Sequence, residues 1–185
     1  AEAMEELLKN CRLCPRECEV DRSTGKKGYC SGGILPRLAR SGLHHGEEPC
    51  ISGERGSGAV FFSGCNLRCV FCQNHLISQH MKGREYQLEE LAEVFLRLQD
   101  RGAHNLNLVT AVHYAPQVLE ALIIARRGGF RLPVIYNTSG YENPETLKKL
   151  EGWIDVYLPD LKYCSGALSL KYSSAADYFD RAAAA

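Results

Sequence analysis

The chain has 185 residues, 45% hydrophobic and 24% charged, which suits one globular domain with a small appendage and excludes a disordered or fibrous chain. Lysine plus arginine and aspartate plus glutamate each number 22, so the net charge is zero and nothing favours a nucleic-acid or acidic-membrane partner. No apolar stretch reaches membrane-spanning length, and residues 1–8 lack the basic start and apolar run of a secretory signal, so a cytoplasmic location with reduced cysteines is expected.

Residues 1–10 are expected to form a short helix. Residues 11–58 are rich in Cys, Gly, Pro and Arg and show little periodicity. They read as a small metal-organised module followed by a connector that ends in Ser52-Gly53-Glu54-Arg55-Gly56-Ser57-Gly58. From residue 59 the texture changes. Ala59-Val60-Phe61-Phe62 is a short buried strand. Residues 88–100 form an amphipathic helix, with Leu88, Leu91, Ala92, Phe95 and Leu98 on one face. A second strand covers 106–110. A second helix covers 116–127, with Pro116 in its first turn and Gly128-Gly129 at its end. Residues 133–136 form a third strand. Asn143 caps a third helix that begins Pro144-Glu145 and ends near residue 151, and residues 154–158 form a fourth strand. This divides the chain into a Cys-rich module with its connector, 1–58, and an α/β core, 59–181. Strands alternating with helices imply a parallel sheet covered by helices; an open doubly wound sheet and a barrel-like sheet both fit.

Nine cysteines are the unusual count, and their placement is uneven. Cys65, Cys69 and Cys72 follow the first strand at C-x3-C-x2-C spacing. Three thiolates in one loop can each bind an iron of a cubane, and three ligands for four irons leave one iron open to a substrate or cofactor. Cys11, Cys14, Cys18 and Cys30 place four thiols within twenty residues of a segment that has no apolar core of its own. Four thiolates close a tetrahedral zinc site or hold an auxiliary [4Fe–4S] cluster, and metal binding would supply folding free energy to such a module. Cys50 and Cys164 stand alone and read as small buried apolar residues.

Parallel α/β sheets carry their chemistry at the carboxyl ends of the strands. The unusual polar residues fall there: Ser63-Gly64-Cys65 after the first strand, Thr110 and His113 after the second, Asn137-Thr138-Ser139-Gly140 after the third, and Asp160 and Lys162 after the fourth. Four strand ends meeting on one face define a candidate site.

The cysteine triplet, with Phe71 in the aromatic place of C-x3-C-x-Φ-C, resembles the motif of the radical S-adenosylmethionine (SAM) superfamily. Longer stretches resemble the pyruvate formate-lyase-activating-enzyme-like group within it: Cys14-Pro15-Arg16-Glu17-Cys18, Phe61 to Cys69, Gly102-Ala103-His104-Asn105, Tyr136-Asn137-Thr138-Ser139-Gly140-Tyr141 and Tyr157-Leu158-Pro159-Asp160-Leu161-Lys162-Tyr163. The resemblance spans about residues 11–178. It implies a (β/α) barrel of six units, of which about four are present here. It therefore raises the expectation that a C-terminal part lies beyond the alanine run 182–185. It also implies that the open iron chelates SAM, whose reductive cleavage yields a 5′-deoxyadenosyl radical for hydrogen abstraction. The electron donor would be a flavodoxin or ferredoxin, and the cofactors would carry the hard chemistry.

Glycyl radical enzyme activases carry a Gly-Gly-Glu-type segment after the second strand, where this chain has Val109-Thr110-Ala111-Val112-His113, without a carboxylate. By resemblance, Thr110 and His113 take its place at the SAM amino group. Phe71 would present backbone groups to adenine. Asn137 and Ser139 correspond to an Asp-Thr-Asn-Gly segment that helps bind a monovalent cation, and Asn137 departs from it. Asp160 and Lys162 correspond to an Asp-Leu-Lys segment, and Lys162 offers three donors to the SAM carboxylate. The leading expectation is therefore a radical SAM enzyme acting on a protein, with a glycyl residue as the target. The alternatives are a radical SAM enzyme modifying a small molecule with an auxiliary cluster, or a non-catalytic Fe–S or zinc protein.

Overall fold

A computed structural model describes residues 2–185, with residues 2–5 described by their backbone alone. In chain order the elements are α1 (Glu2–Lys9), β1 (Arg37–His44), α2 (Pro49–Ser52), β2 (Ser57–Phe62), α3 (His75–Ser78), β3 (Arg84–Glu85), α4 (Leu88–Asp100), β4 (Leu106–Val109), α5 (Ala115–Arg127), β5 (Val134–Thr138), α6 (Pro144–Lys149), β6 (Val156–Pro159), α7 (Gly166–Ser173) and α8 (Tyr178–Ala184). Six strands form one mixed sheet in the order β3-β1-β2-β4-β5-β6. The run β2-β4-β5-β6 is parallel, as the alternating pattern implies. Among the described residues the sheet is open, with β3 and β6 at its edges.

Side chains alternate across the sheet. Val60, Phe62, Leu106, Leu108, Val134 and Tyr136 join Leu91, Phe95, Leu98, Val118 and Leu122 of α4 and α5 in the main core. Burying each large apolar side chain contributes about 1.5–3 kcal/mol. The residues between them on each strand, among them Phe61, Val109 and Asn137, turn to the opposite face, where they line a cavity. Helix α4 begins with a capping box: the Gln87 side chain takes an N–H of the first turn, and the Gln87 N–H donates to Glu90 at 2.8 Å.

Three features differ from the sequence reading. Strand β1 lies in the segment read as an aperiodic connector, and it pairs antiparallel with β2 from Leu38↔Phe62 to His44↔Ser57. Its composition, Arg-Leu-Ala-Arg-Ser-Gly-Leu-His, is too polar to announce a strand, and it stays half-exposed because only the two residues of β3 cover its outer side. Asn143 precedes α6 but makes no side-chain cap; its amide donates instead to the Arg12 carbonyl at 3.1 Å, tying the N-terminal segment to the sheet. Cys50 and Cys164, read as buried, are exposed, one on the short α2 and one in the loop after β6. Among the described residues no helix is long and apolar enough to cross a membrane.

Candidate active site

The carboxyl ends of β2, β4, β5 and β6 open into one cavity of about 380 Å³. Cys65, Cys69, Cys72 and Phe71 form one wall; Thr110, Asn137, Ser139, Asp160 and Lys162 form the other. Of the residues that the strand-end argument placed here, all but Ser63, His113 and Gly140 line the cavity.

The loop after β2 is built by one close approach and several distant hydrogen bonds. Gly64 has φ +92°, and a Cβ there would lie 2.4 Å from the Cys30 carbonyl oxygen, so only glycine fits. Beyond it, the Arg68 and Val70 N–H groups donate to the Ser173 and Tyr172 carbonyls at 3.1 and 2.9 Å, using acceptors left free at the end of α7. The Arg68 guanidinium folds back onto the Cys65 carbonyl at 2.8 Å and also donates to the Tyr29 carbonyl. Arg16 donates to the Asn66 carbonyl at 2.8 Å and to the Ser174 carbonyl at 2.6 Å. The Tyr29 ring lies between the two guanidiniums, 3.9 Å from Arg16 and 4.3 Å from Arg68. The buried Asn66 amide donates to the Tyr141 carbonyl at 2.6 Å. Nothing in the local sequence announced Arg16, Tyr29, Asn66 or Ser173 as supports of this loop.

Each thiol of the triplet has a hydrogen-bonding neighbour. The Leu67 N–H donates to Cys65 Sγ at 3.4 Å, the Ser173 hydroxyl to Cys69 Sγ at 2.9 Å, and Ser78 Oγ lies 3.3 Å from Cys72 Sγ. Donors aimed at sulfur favour the thiolate, the form that binds iron. Burial pushes the Cys65 thiol up to about 12, against the Leu67 N–H, and the neighbouring Cys69 and Cys72 add to the rise. Burial alone thus disfavours the Cys65 thiolate, and a bound cationic cluster would supply the compensation. Among the described residues, no three Cys, His, Asp or Glu side chains converge tightly enough to hold a single metal ion. The thiolates of a cubane sit on different irons and need no such convergence, so the triplet fits a cluster. No fourth Cys and no His lines the cavity, so Cys65, Cys69 and Cys72 would hold a cubane with one iron left without a protein ligand, in a cavity that also holds Thr110, Asn137 and Lys162.

The opposite wall is equally organised. Thr110 has φ +58°, an outlier for a β-branched residue, and its N–H donates to the Asn137 carbonyl at 2.9 Å. Such strain concentrates at ligand sites. The Asn137-Thr138-Ser139-Gly140 turn hangs on a buried carboxyl. Thr138 Oγ1 donates to Glu142, Tyr136 donates to it at 3.4 Å, and the Gly140 N–H donates to Thr138 Oγ1 at 3.3 Å. Burial pushes Glu142 up to about 8, against the two hydroxyl donors. Lys162 and Asp160 form a short ion pair at the cavity edge, with Lys162 the less exposed partner. Burial lowers the Lys162 pKa, but Asp160 and, farther off, Cys69 outweigh it and hold the ammonium charged. Phe71 is exposed, 6.4 Å ring to ring from Tyr163.

His113 does not reach the cavity. It is fully buried, its Nε2–H donates to the Ser63 carbonyl at 2.8 Å, and Nδ1 has no partner. Burial pulls it down to about 3, so it is a neutral brace beneath the Gly64 loop. Of the two residues that could replace the missing carboxylate after β4, only Thr110 faces the site. Cys11, Cys14, Cys18 and Cys30 gather outside the cavity, behind the same loop.

The family model described as the radical SAM superfamily matches residues 59–166, more than half of the chain. Two uncharacterized proteins of the archaeon Methanocaldococcus jannaschii are similar. One is 31% identical over 191 residues, covering 97% of this chain and 53% of the relative. The other is 28% identical over 180 residues, covering 87% of this chain and 51% of the relative. The chain thus spans about half the length of the curated relatives it matches.

Proposed function

This chain belongs to the radical SAM superfamily, and we propose that its strand-end cavity seats SAM against an open iron held opposite Cys65, Cys69 and Cys72. Membership implies that a [4Fe–4S] cluster and SAM together supply reductive cleavage of SAM, giving the 5′-deoxyadenosyl radical used for hydrogen abstraction. The observation that carries the proposal is three thiols on one wall of a single cavity, with no fourth thiol or imidazole lining it. The chain's own residues bind and orient. Lys162, held by Asp160, meets the SAM carboxylate. Thr110 and the Asn137–Ser139 turn offer neutral oxygens and amide groups where activases use carboxylates. Phe71 closes the adenine side.

For the substrate, the proposal is a protein, with a glycyl residue as hydrogen donor and a flavodoxin or ferredoxin as electron source. The Asp160-Leu161-Lys162 and Asn137-Thr138-Ser139-Gly140 segments, similar to those of glycyl radical enzyme activases, support it. So does the rim of the site, where the exposed Phe71 and Leu161 offer apolar surface to a peptide loop.

The test is low-temperature EPR of the anaerobically reconstituted, dithionite-reduced protein. A [4Fe–4S] signal that changes shape on adding SAM, with 5′-deoxyadenosine released afterwards, is the expected result. A signal indifferent to SAM would overturn the proposal. The absence of a glycyl signal on a treated glycyl radical enzyme would remove only the substrate assignment.

A further inference from the structure

Arg22 is 2% exposed. Its Nη1 donates to the His113 carbonyl at 2.5 Å, and its Nη2 lies 3.0 Å from Cys11 Sγ and 3.6 Å from Cys30 Sγ. No carboxylate is among these partners. A buried guanidinium needs a compensating anion, and two neutral thiols do not supply one.

The thiols around it are arranged as acceptors. Tyr29 N–H donates to Cys18 Sγ at 3.3 Å and Gly32 N–H to Cys30 Sγ at 3.4 Å, while the Arg16 N–H faces Cys14. Every sulfur of the quartet thus has an N–H or guanidinium donor, although a neutral thiol is a weak acceptor. Cys14 lies within electrostatic reach of the other three. Cys11, Cys14 and Cys30 are buried and Cys18 is half-buried. Among the described residues the local apolar cluster is Leu8, Cys11 and Leu13 with Leu7 and Val20 against it, a small core for a segment of this length.

We propose that Cys11, Cys14, Cys18 and Cys30 hold a second metal centre as thiolates, and that Arg22 is its buried counter-cation. Four thiolates around either a zinc ion or a [4Fe–4S]²⁺ cluster leave a net negative charge, which is the anion Arg22 lacks. Among the described residues no three Cys, His, Asp or Glu side chains stand at single-ion spacing, so the four thiols would close in on a zinc ion or each hold one iron of a cubane. The centre backs onto the catalytic loop: the Cys30 carbonyl abuts Gly64, and Arg22 reaches Ser63 through His113. This inference does not depend on the substrate or on SAM binding.

The test is elemental analysis of the chain with Cys65, Cys69 and Cys72 all replaced by alanine, purified anaerobically and checked for folding by circular dichroism. About four irons with sulfide per chain support the proposal as a cluster, and about one zinc supports it as a zinc site. A folded variant with neither metal overturns it. Should that variant not fold, the unaltered chain decides: about four irons and no zinc overturn the proposal, while about eight irons, or four with one zinc, support it. Arg22→Gln tests the counter-cation: a chelator should strip the second metal roughly tenfold faster, and unchanged stripping removes Arg22 from the account.

Discussion

Replacing Glu142 by glutamine tests how the loop after β5 is held. Glu142 is fully buried beneath the Asn137–Gly140 turn, with hydroxyl donors from Thr138 and Tyr136 and no cation among its bonded partners. Burial raises its pKa from 4.5 to about 8. Below 4.5 the carboxyl is neutral in both folded and unfolded chains. As pH rises past that value the unfolded chain ionises while the folded one keeps its proton, so the native state loses stability until about pH 8 and then levels off. At ~1.4 kcal/mol per pH unit the whole window amounts to about 5 kcal/mol, and relaxation around the ionised group cuts this to roughly 2–4 kcal/mol. The glutamine side chain keeps the shape and an acceptor for Thr138 but cannot ionise. Urea denaturation of wild type and variant, followed by the fluorescence of the single tryptophan, Trp153, under reducing anaerobic conditions, measures the difference. The variant should gain about 2–4 kcal/mol on wild type between about pH 5 and about pH 8.5. A gap that is the same at both pH values would show that Glu142 does not keep its proton and would refute the reasoning. Thiol titrations are common to both proteins and cancel.

Two further substitutions probe the cavity walls. Gly64→Ala places a Cβ 2.4 Å from the Cys30 carbonyl at a left-handed φ; the strain of about 1–2 kcal/mol, added to the clash, should displace the loop and cut iron content at least by half, measured by iron analysis. Full iron and an unchanged melting temperature would show that the loop tolerates the contact. Lys162→Ala should weaken SAM binding about tenfold or more, and Asp160→Asn, which only releases the lysine from a half-exposed pair, by about threefold, both by calorimetry on the cluster-loaded protein. Equal affinities in all three proteins would remove Lys162 from the SAM site.

The parallel part of the fold was legible because its signals are local. Ala59-Val60-Phe61-Phe62 is a continuous apolar run, and residues 88–100 keep one apolar face, so β2 and α4 fall where expected. Strand β1 was not legible, because pairing with β2 rather than side-chain pattern makes it a strand. Helices α7 and α8 escaped for a similar reason: α7 leaves Leu168 and Leu170 exposed, so its sequence shows no single buried face. The cysteines and the residues at the strand ends could be read from spacing and from the rule that parallel strands present chemistry at their carboxyl ends. His113 was misplaced because it sits one turn past β4, where the chain has already gone under the loop. The supports of the cluster loop were beyond reach: Ser173 meets Cys69 across 104 residues, and Arg16 meets Ser174 across 158.

Those separations bear on biogenesis. The loop from Gly64 to Cys72 is gripped from one side by Arg16, Tyr29 and Cys30, and from the other by Tyr172, Ser173 and Ser174. No nascent chain that ends before residue 174 contains all of these groups. While the first strands emerge from the ribosome, the three thiols sit on a loop whose Arg68 and Val70 amides still bond to water. The iron carrier therefore meets its finished receptor only once synthesis has passed residue 174, so loading of the centre follows the making of this part of the chain rather than accompanying it.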